Sequence, residues 1–103
     1  MIKHCVFMQF REDVSLAERE AIYADLRAVE GQIQGWLGFV AGANSTDELG
    51  MDKGYNGGFI IDFADEAALA SYQANADHKK AGARLVAASE GGLAGIFVFD
   101  LRL

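Results

Sequence analysis

Proline is absent from this chain of 103 residues, so any interruption of a helix has to be made by other residues. Cysteine occurs once, at Cys5, which excludes an internal disulfide and a thiolate zinc cluster. Cys5 lies between His4 and Val6 in an apolar run and reads as a buried, inert thiol. Cationic residues are few: 9 Lys and Arg stand against 15 Asp and Glu, for a net charge of −6. The one basic cluster, Lys79-Lys80 with Arg84, is short and flanked by Asp77. Such a chain repels nucleic acid and an anionic membrane surface. No apolar run approaches the roughly 18 residues of a membrane span. The run from Ile2 to Phe10 is too short for a secretory signal and holds Lys3, His4 and Gln9, so a soluble, cytoplasmic protein is expected. Gly-x-Ser-x-Gly, Cys-x-x-Cys and His-Glu-x-x-His motifs are all missing. The length excludes a TIM barrel or a full dinucleotide-binding fold and predicts a single domain over residues 1–103.

What the chain has in plenty is apolar side chains, 51% of its residues. With glycine counted and tyrosine left out the fraction is about 60%, against about 45–50% in average soluble domains. Residues 2–11 alternate as a strand, with Ile2, His4, Val6, Met8 and Phe10 on one face. Ser15 and Glu18 have the spacing of a capping box, and Ile22, Leu26, Val29 and Ile33 follow at helical intervals, ending near Gly31 and Gly35. Residues 36–43 read as a second strand and 55–63 as a third, joined by a polar loop. Asp65 caps a helix through Ala68, Leu69 and Tyr72, and helix resumes from His78 to about Ser89. Residues 93–101 form a last strand, with Phe97, Phe99 and Leu101 on one face and Ile96 and Val98 on the other.

The order β-α-β-β-α-β predicts an α+β, ferredoxin-like fold: a four-stranded antiparallel sheet with two helices on one face. If the stronger stripe of each strand faces the helices, Cys5, Phe7, Ile60, Ile96 and Val98 remain on the bare face. Monomers rarely expose so large an apolar patch, so a homodimer joined through the sheet faces is expected.

Candidate chemistry is confined to a few residues. His4 and His78 are the only histidines, and imidazole alone has an unperturbed pKa suited to proton transfer near neutrality. His4 lies on the helix-facing stripe of the first strand and His78 in the helical region that packs on that face, so both rings can enter one pocket. Tyr72 precedes His78 by six residues, about 120° away in projection on a straight helix. A break at Asn75-Ala76-Asp77, with Asn75 left-handed and Asp77 capping the next helix, swings His78 back toward Tyr72. The plainer reading makes His4 a core histidine, His78 a surface or capping residue and Tyr72 a packing residue with its hydroxyl at the rim. Asp47, Glu48 and Asp52 lack calcium-loop spacing, and Gly54, Gly57 and Gly58 precede a strand and cannot cradle a phosphate. No metal or cofactor is expected.

These residues also carry a likeness. Lys3-His4 opens an apolar strand ending in Phe10-Arg11, Gly42-x-Asn44-Ser45 follows the second strand, Gly54-Tyr55 leads into a third strand ending at Asp62-Phe63, and Tyr72 stands six residues before a His. In that order they resemble the stress-responsive A/B-barrel (Dabb) domain family over nearly the whole chain. The resemblance implies a homodimer whose sheets pack into a dimeric α+β barrel. It also implies a protein that binds a small apolar or oxo ligand with no established activity. One plant member is a polyketide cyclase that closes a linear polyketide by an aldol-type step. Its two His and one Tyr match His4, His78 and Tyr72, so a cofactor-free acid–base enzyme is the alternative. A monooxygenase-like dimeric barrel is a further one. The family usually has His-Pro ahead of its second motif His, where this chain has Asn75-Ala76-Asp77.

Overall fold

The computed structural model describes residues 1–103. Strands β1 (Ile2–Met8), β2 (Trp36–Ala43), β3 (Gly57–Phe63) and β4 (Ile96–Arg102) form one antiparallel sheet in the order β2-β3-β1-β4. Helices α1 (Leu16–Arg27), α2 (Glu66–Ala74) and α3 (Ala76–Ala88) connect them. This is the ferredoxin-like arrangement, with its second helical region split in two. No helix is long and apolar enough to cross a membrane.

The register explains the core. Even positions of β1 face the helices and lie opposite Phe59, Ile61 and Phe63 of β3, which are all buried. Ile22, Tyr23 and Leu26 of α1, Ala68 and Tyr72 of α2, and Ala81, Leu85 and Ala88 of α3 close over them. Burying each large aliphatic or aromatic side chain of this set stabilises the fold by about 1.5–3 kcal/mol.

Several ends differ from the sequence reading, each for a local reason. Regular β1 stops at Met8 rather than residue 11. Phe10 takes its backbone partners from the Asn56 side-chain amide instead, donating to Oδ1 at 2.8 Å and accepting from Nδ2 at 3.0 Å. Helix α1 ends at Arg27, so Val29 and Ile33 reach the core from a 3₁₀ turn. Ser15 caps α1 as expected, accepting from the Glu18 amide at 3.1 Å, but the Glu18 carboxylate binds Arg84 (3.1 Å) rather than closing a capping box. Regular β3 begins at Gly57, not at residue 55. At the start of the last strand, Gly92–Gly95 forms a 3₁₀ turn, so pairing begins at Ile96.

One expectation is reversed. The stronger apolar stripe of β4 points away from the helices. Val98 lies opposite Val6, and Asp100 opposite His4, on the helix side. Phe97, Phe99 and Leu101 pair with Phe7, Cys5 and Lys3 on the bare face. Ranking the stripes fails because this strand is apolar on both faces, and the pairing register decides which one is covered. The bare face therefore carries more aromatic surface than expected: Phe99 is 53% exposed and Phe97 47%, joined by Phe7 and Val40.

Candidate functional site

The three residues singled out by the sequence come together on the helix side of the sheet. His4 is buried at the centre of β1, with its ring 5.6 Å, edge-on, from that of Tyr72. Tyr72 in turn lies 3.9 Å from the half-buried ring of His78. His78 does not point away into solvent.

The helix break that allows this is made by one residue. Asn75 is both the last cap of α2 and the first cap of α3, in an extended conformation (φ −68°, ψ 132°). Its Oδ1 accepts from the His78 amide at 2.9 Å, so the cap of α3 grips the residue that carries the imidazole. The expected left-handed Asn75 and capping Asp77 are thus corrected: an extended Asn supplies its own cap, and Asp77 lies inside the first turn. Two further bonds hold the break in place. Asn75 Nδ2 donates to Gln32 Oε1 (2.8 Å), and Gln32 Nε2 donates to Asp77 Oδ2 (2.9 Å).

Two residues that the sequence reading missed complete the site. Asp100 of β4 accepts from His4 Nδ1 at 2.6 Å. A carboxylate offers no proton, so Nδ1 carries it and Nε2 lies on the opposite side of the ring. The available signal was an Asp in the middle of the apolar run Phe97-Val98-Phe99-Asp100-Leu101. The second residue is Trp36, whose indole packs edge-on against Tyr72 at 5.8 Å and against Phe63 at 5.7 Å. Gly35 sets its approach: its φ is +91°, and a Cβ there would lie 2.9 Å from the Ala68 Cβ.

The electrostatics suit proton transfer. Burial, helped by the His4 ring, lowers the His78 pKa below its ordinary 6.5, while the Gln73 and Tyr72 carbonyls pull the other way. The ring is thus neutral at pH 7 and able to accept a proton. Burial raises the Tyr72 phenol well above its usual range, so it remains a donor. Tyr72 Oη and His78 Nδ1 are nevertheless buried without any hydrogen-bond partner, as is Trp36 Nε1. Buried polar atoms in native proteins are nearly always paired, and each one left alone costs about 1–3 kcal/mol. No group of His, Cys, Asp or Glu side chains has the geometry to hold a metal ion. A separate apolar hollow of about 600 Å³, lined by Phe7, Val40, Ile60 and Phe97 among others, opens on the bare face of the sheet.

The family model of the Stress responsive A/B Barrel Domain matches residues 2–102. None of the curated proteins matches the chain. Among solved structures, a dimeric ferredoxin-like protein of unknown function from Jannaschia sp. is 29% identical, with a TM-score of 0.90 over 99% of this chain and 98% of that one. A dabb family protein from Mesorhizobium loti is 22% identical, with a TM-score of 0.74 over 99% and 95% of the two chains. The hydroxynitrile lyase of Passiflora edulis is 14% identical, with a TM-score of 0.83 over 99% and 92%. The last two share the fold with this chain.

Proposed function

Since the chain belongs to the stress-responsive A/B barrel domain family, we propose that it binds a small oxo compound between sheet and helices and moves a proton on it by His/Tyr acid–base chemistry. The observation that carries this reading is the contact of Tyr72 with His78 at 3.9 Å, with the phenol oxygen and the imidazole Nδ1 both buried and unpartnered. In a purely structural cluster those atoms would be paired or replaced by apolar groups.

The roles follow from the groups. Neutral His78 takes the proton from the carbon next to a carbonyl. The electron pair of that C–H bond moves onto the carbonyl oxygen, and the Tyr72 hydroxyl donates to the developing enolate. In an aldol-type closure the enolate carbon then attacks a second carbonyl of the same molecule. The new alkoxide recovers the proton from His78, so no redox partner is needed. His4, held by Asp100, orients the bound molecule.

The functional unit in this reading is a homodimer joined through the bare sheet face. Phe97, Phe99, Leu101 and Val40 lie exposed on that face, apolar side chains that a second copy would cover. The Jannaschia relative is described as dimeric.

The test compares wild type with His78→Ala on a panel of β-polyketo thioesters and acids. Wild type should give cyclised products that the variant lacks. Equal product profiles would remove His78 as the base.

A further inference from the structure

The chain leaves three buried side-chain polar atoms without partners, on Trp36, Tyr72 and His78. All three lie on rings that touch in sequence: Trp36 against Tyr72 at 5.8 Å, and Tyr72 against His78 at 3.9 Å. Scattered orphans would each need a separate cause, whereas orphans on neighbouring rings share one. The site proposed above accounts for Tyr72 and His78 but gives Trp36 no task.

The chemistry of the three differs. An imidazole nitrogen can donate or accept according to tautomer. An indole Nε1–H can only donate, and no change of protonation relieves it. A buried phenol that keeps its proton is a donor as well. Two neighbouring donors therefore lack an acceptor. We infer that Trp36, through its indole N–H, is a binding residue for the same ligand as Tyr72, and that the group they receive is an uncharged carbonyl oxygen. This rests on the ligand site of the preceding section and narrows its substrate class.

The lack of charge follows from the surroundings. The cluster is walled by Phe39, Phe59 and Phe63, with the Asp100 carboxylate bound to His4. Of the nearby cations, Lys3 is paired with Asp62, Arg27 lies over the outer ring of Phe39, 5.6 Å from its centre, and Lys79, whose charge reaches His78, is itself exposed to solvent. A carboxylate or phosphate pushed in beside Trp36 would be desolvated without a countercharge, and next to another anion. A ketone oxygen escapes that cost and has two lone pairs, one for each donor. The rings around it suit a flat, conjugated ketone.

Trp36 is the sole tryptophan, so ¹⁵N-labelled protein gives a single indole resonance. The titrants are 1-phenyl-1,3-butanedione, butylbenzene as its oxygen-free analogue and 4-phenylbutanoate as a charged one. The diketone should move the indole N–H downfield and slow its exchange with solvent, and should bind at least tenfold more tightly than the carboxylate. In Trp36→Phe, diketone affinity should fall about tenfold relative to that of butylbenzene, as loss of one buried hydrogen bond predicts. A diketone that moves the His78 ring resonances but leaves the indole still would overturn the role of Trp36 while the ligand site stands. Carboxylate binding as tight as the diketone's would overturn the uncharged class. If neither His78 nor Trp36 responds to any titrant, the ligand site and this inference fall together.

Discussion

Replacing Tyr72 by Phe should make the protein more stable and less active at once. The ring of Tyr72 is fully buried and packs against Phe63 at 5.3 Å and His4 at 5.6 Å, so Phe keeps every one of those contacts. What leaves is a hydroxyl that has no partner in the folded chain but is hydrated in the unfolded one. Its desolvation costs about 1–3 kcal/mol, and the vacated oxygen position costs part of that back in lost packing. The expected net gain is about 1 kcal/mol, equivalent to about 4–8 °C in Tm for a domain of this size. Tyr23 is the internal control. Its hydroxyl lies 3.4 Å from the Gly42 carbonyl and 3.8 Å from Met8 Sδ, so Tyr23→Phe removes made contacts and should lose about 0.5–1 kcal/mol. Urea unfolding of wild type and both variants, at one protein concentration and without ligand, compares the midpoints at constant m-value. A loss in Tyr72→Phe equal to that in Tyr23→Phe would show that the Tyr72 hydroxyl is satisfied in the resting protein. A ligand would then find no unpaired hydroxyl at Tyr72.

Other outcomes follow from the same geometry. By NMR, His78 should titrate below 6.5, the value it takes when unfolded. Between those two pH values the unfolded chain binds more protons, so this group's stability contribution is complete above 6.5 and lost as pH falls through the folded value. The urea midpoint of His78→Gln should lack that part of the pH dependence, and a His78 midpoint at or above 6.5 would refute the assignment. Asp100→Asn keeps the shape but removes the charge that fixes the His4 tautomer. Turnover should drop at least tenfold, while stability falls by only about 1 kcal/mol because the carboxylate is partly solvated. Kinetics and unfolding on one preparation separate the two effects. Phe99→Lys should convert the assembly to single chains of 11.1 kDa with the fold retained, as read by sedimentation and circular dichroism. An unchanged sedimentation coefficient would place the interface elsewhere.

The fold was legible because its elements announce themselves locally. Ser15 and Asp65 cap helices where the polar-to-apolar switch predicts, and the span of β2 follows from Trp36 to Ala43. The candidate site, in which the rings of His4, Tyr72 and His78 converge, was legible because imidazole and buried phenol are scarce groups with few roles. Asp100 and Trp36 were not, because their meaning depends on pairing across the chain. Only the β1–β4 register brings Asp100 opposite His4, 96 residues away in sequence. Trp36 meets Tyr72 where Gly35 approaches Ala68 closely, a contact between distant segments. The side of β4 was misjudged for a related reason. Hydrophobicity ranks faces by their need for cover but says nothing of which neighbour provides it. Asn75 shows the reverse case: the weak helical stretch is visible in sequence, but its one-residue solution depends on Gln32.

Strand β4 carries two messages in alternate residues. Asp100 turns inward to His4, while Phe99 and Leu101, immediately on either side, turn outward onto the bare sheet face. A strand is too stiff to move one without the others. A second copy seated on the outer side chains would lie one peptide unit from the carboxylate that binds His4. In the proposed reading, binding of a ligand beside His4 and pairing of two chains are therefore expected to be thermodynamically linked. Diluting the protein should weaken its hold on a ligand, and ligand should tighten the pair by the same factor.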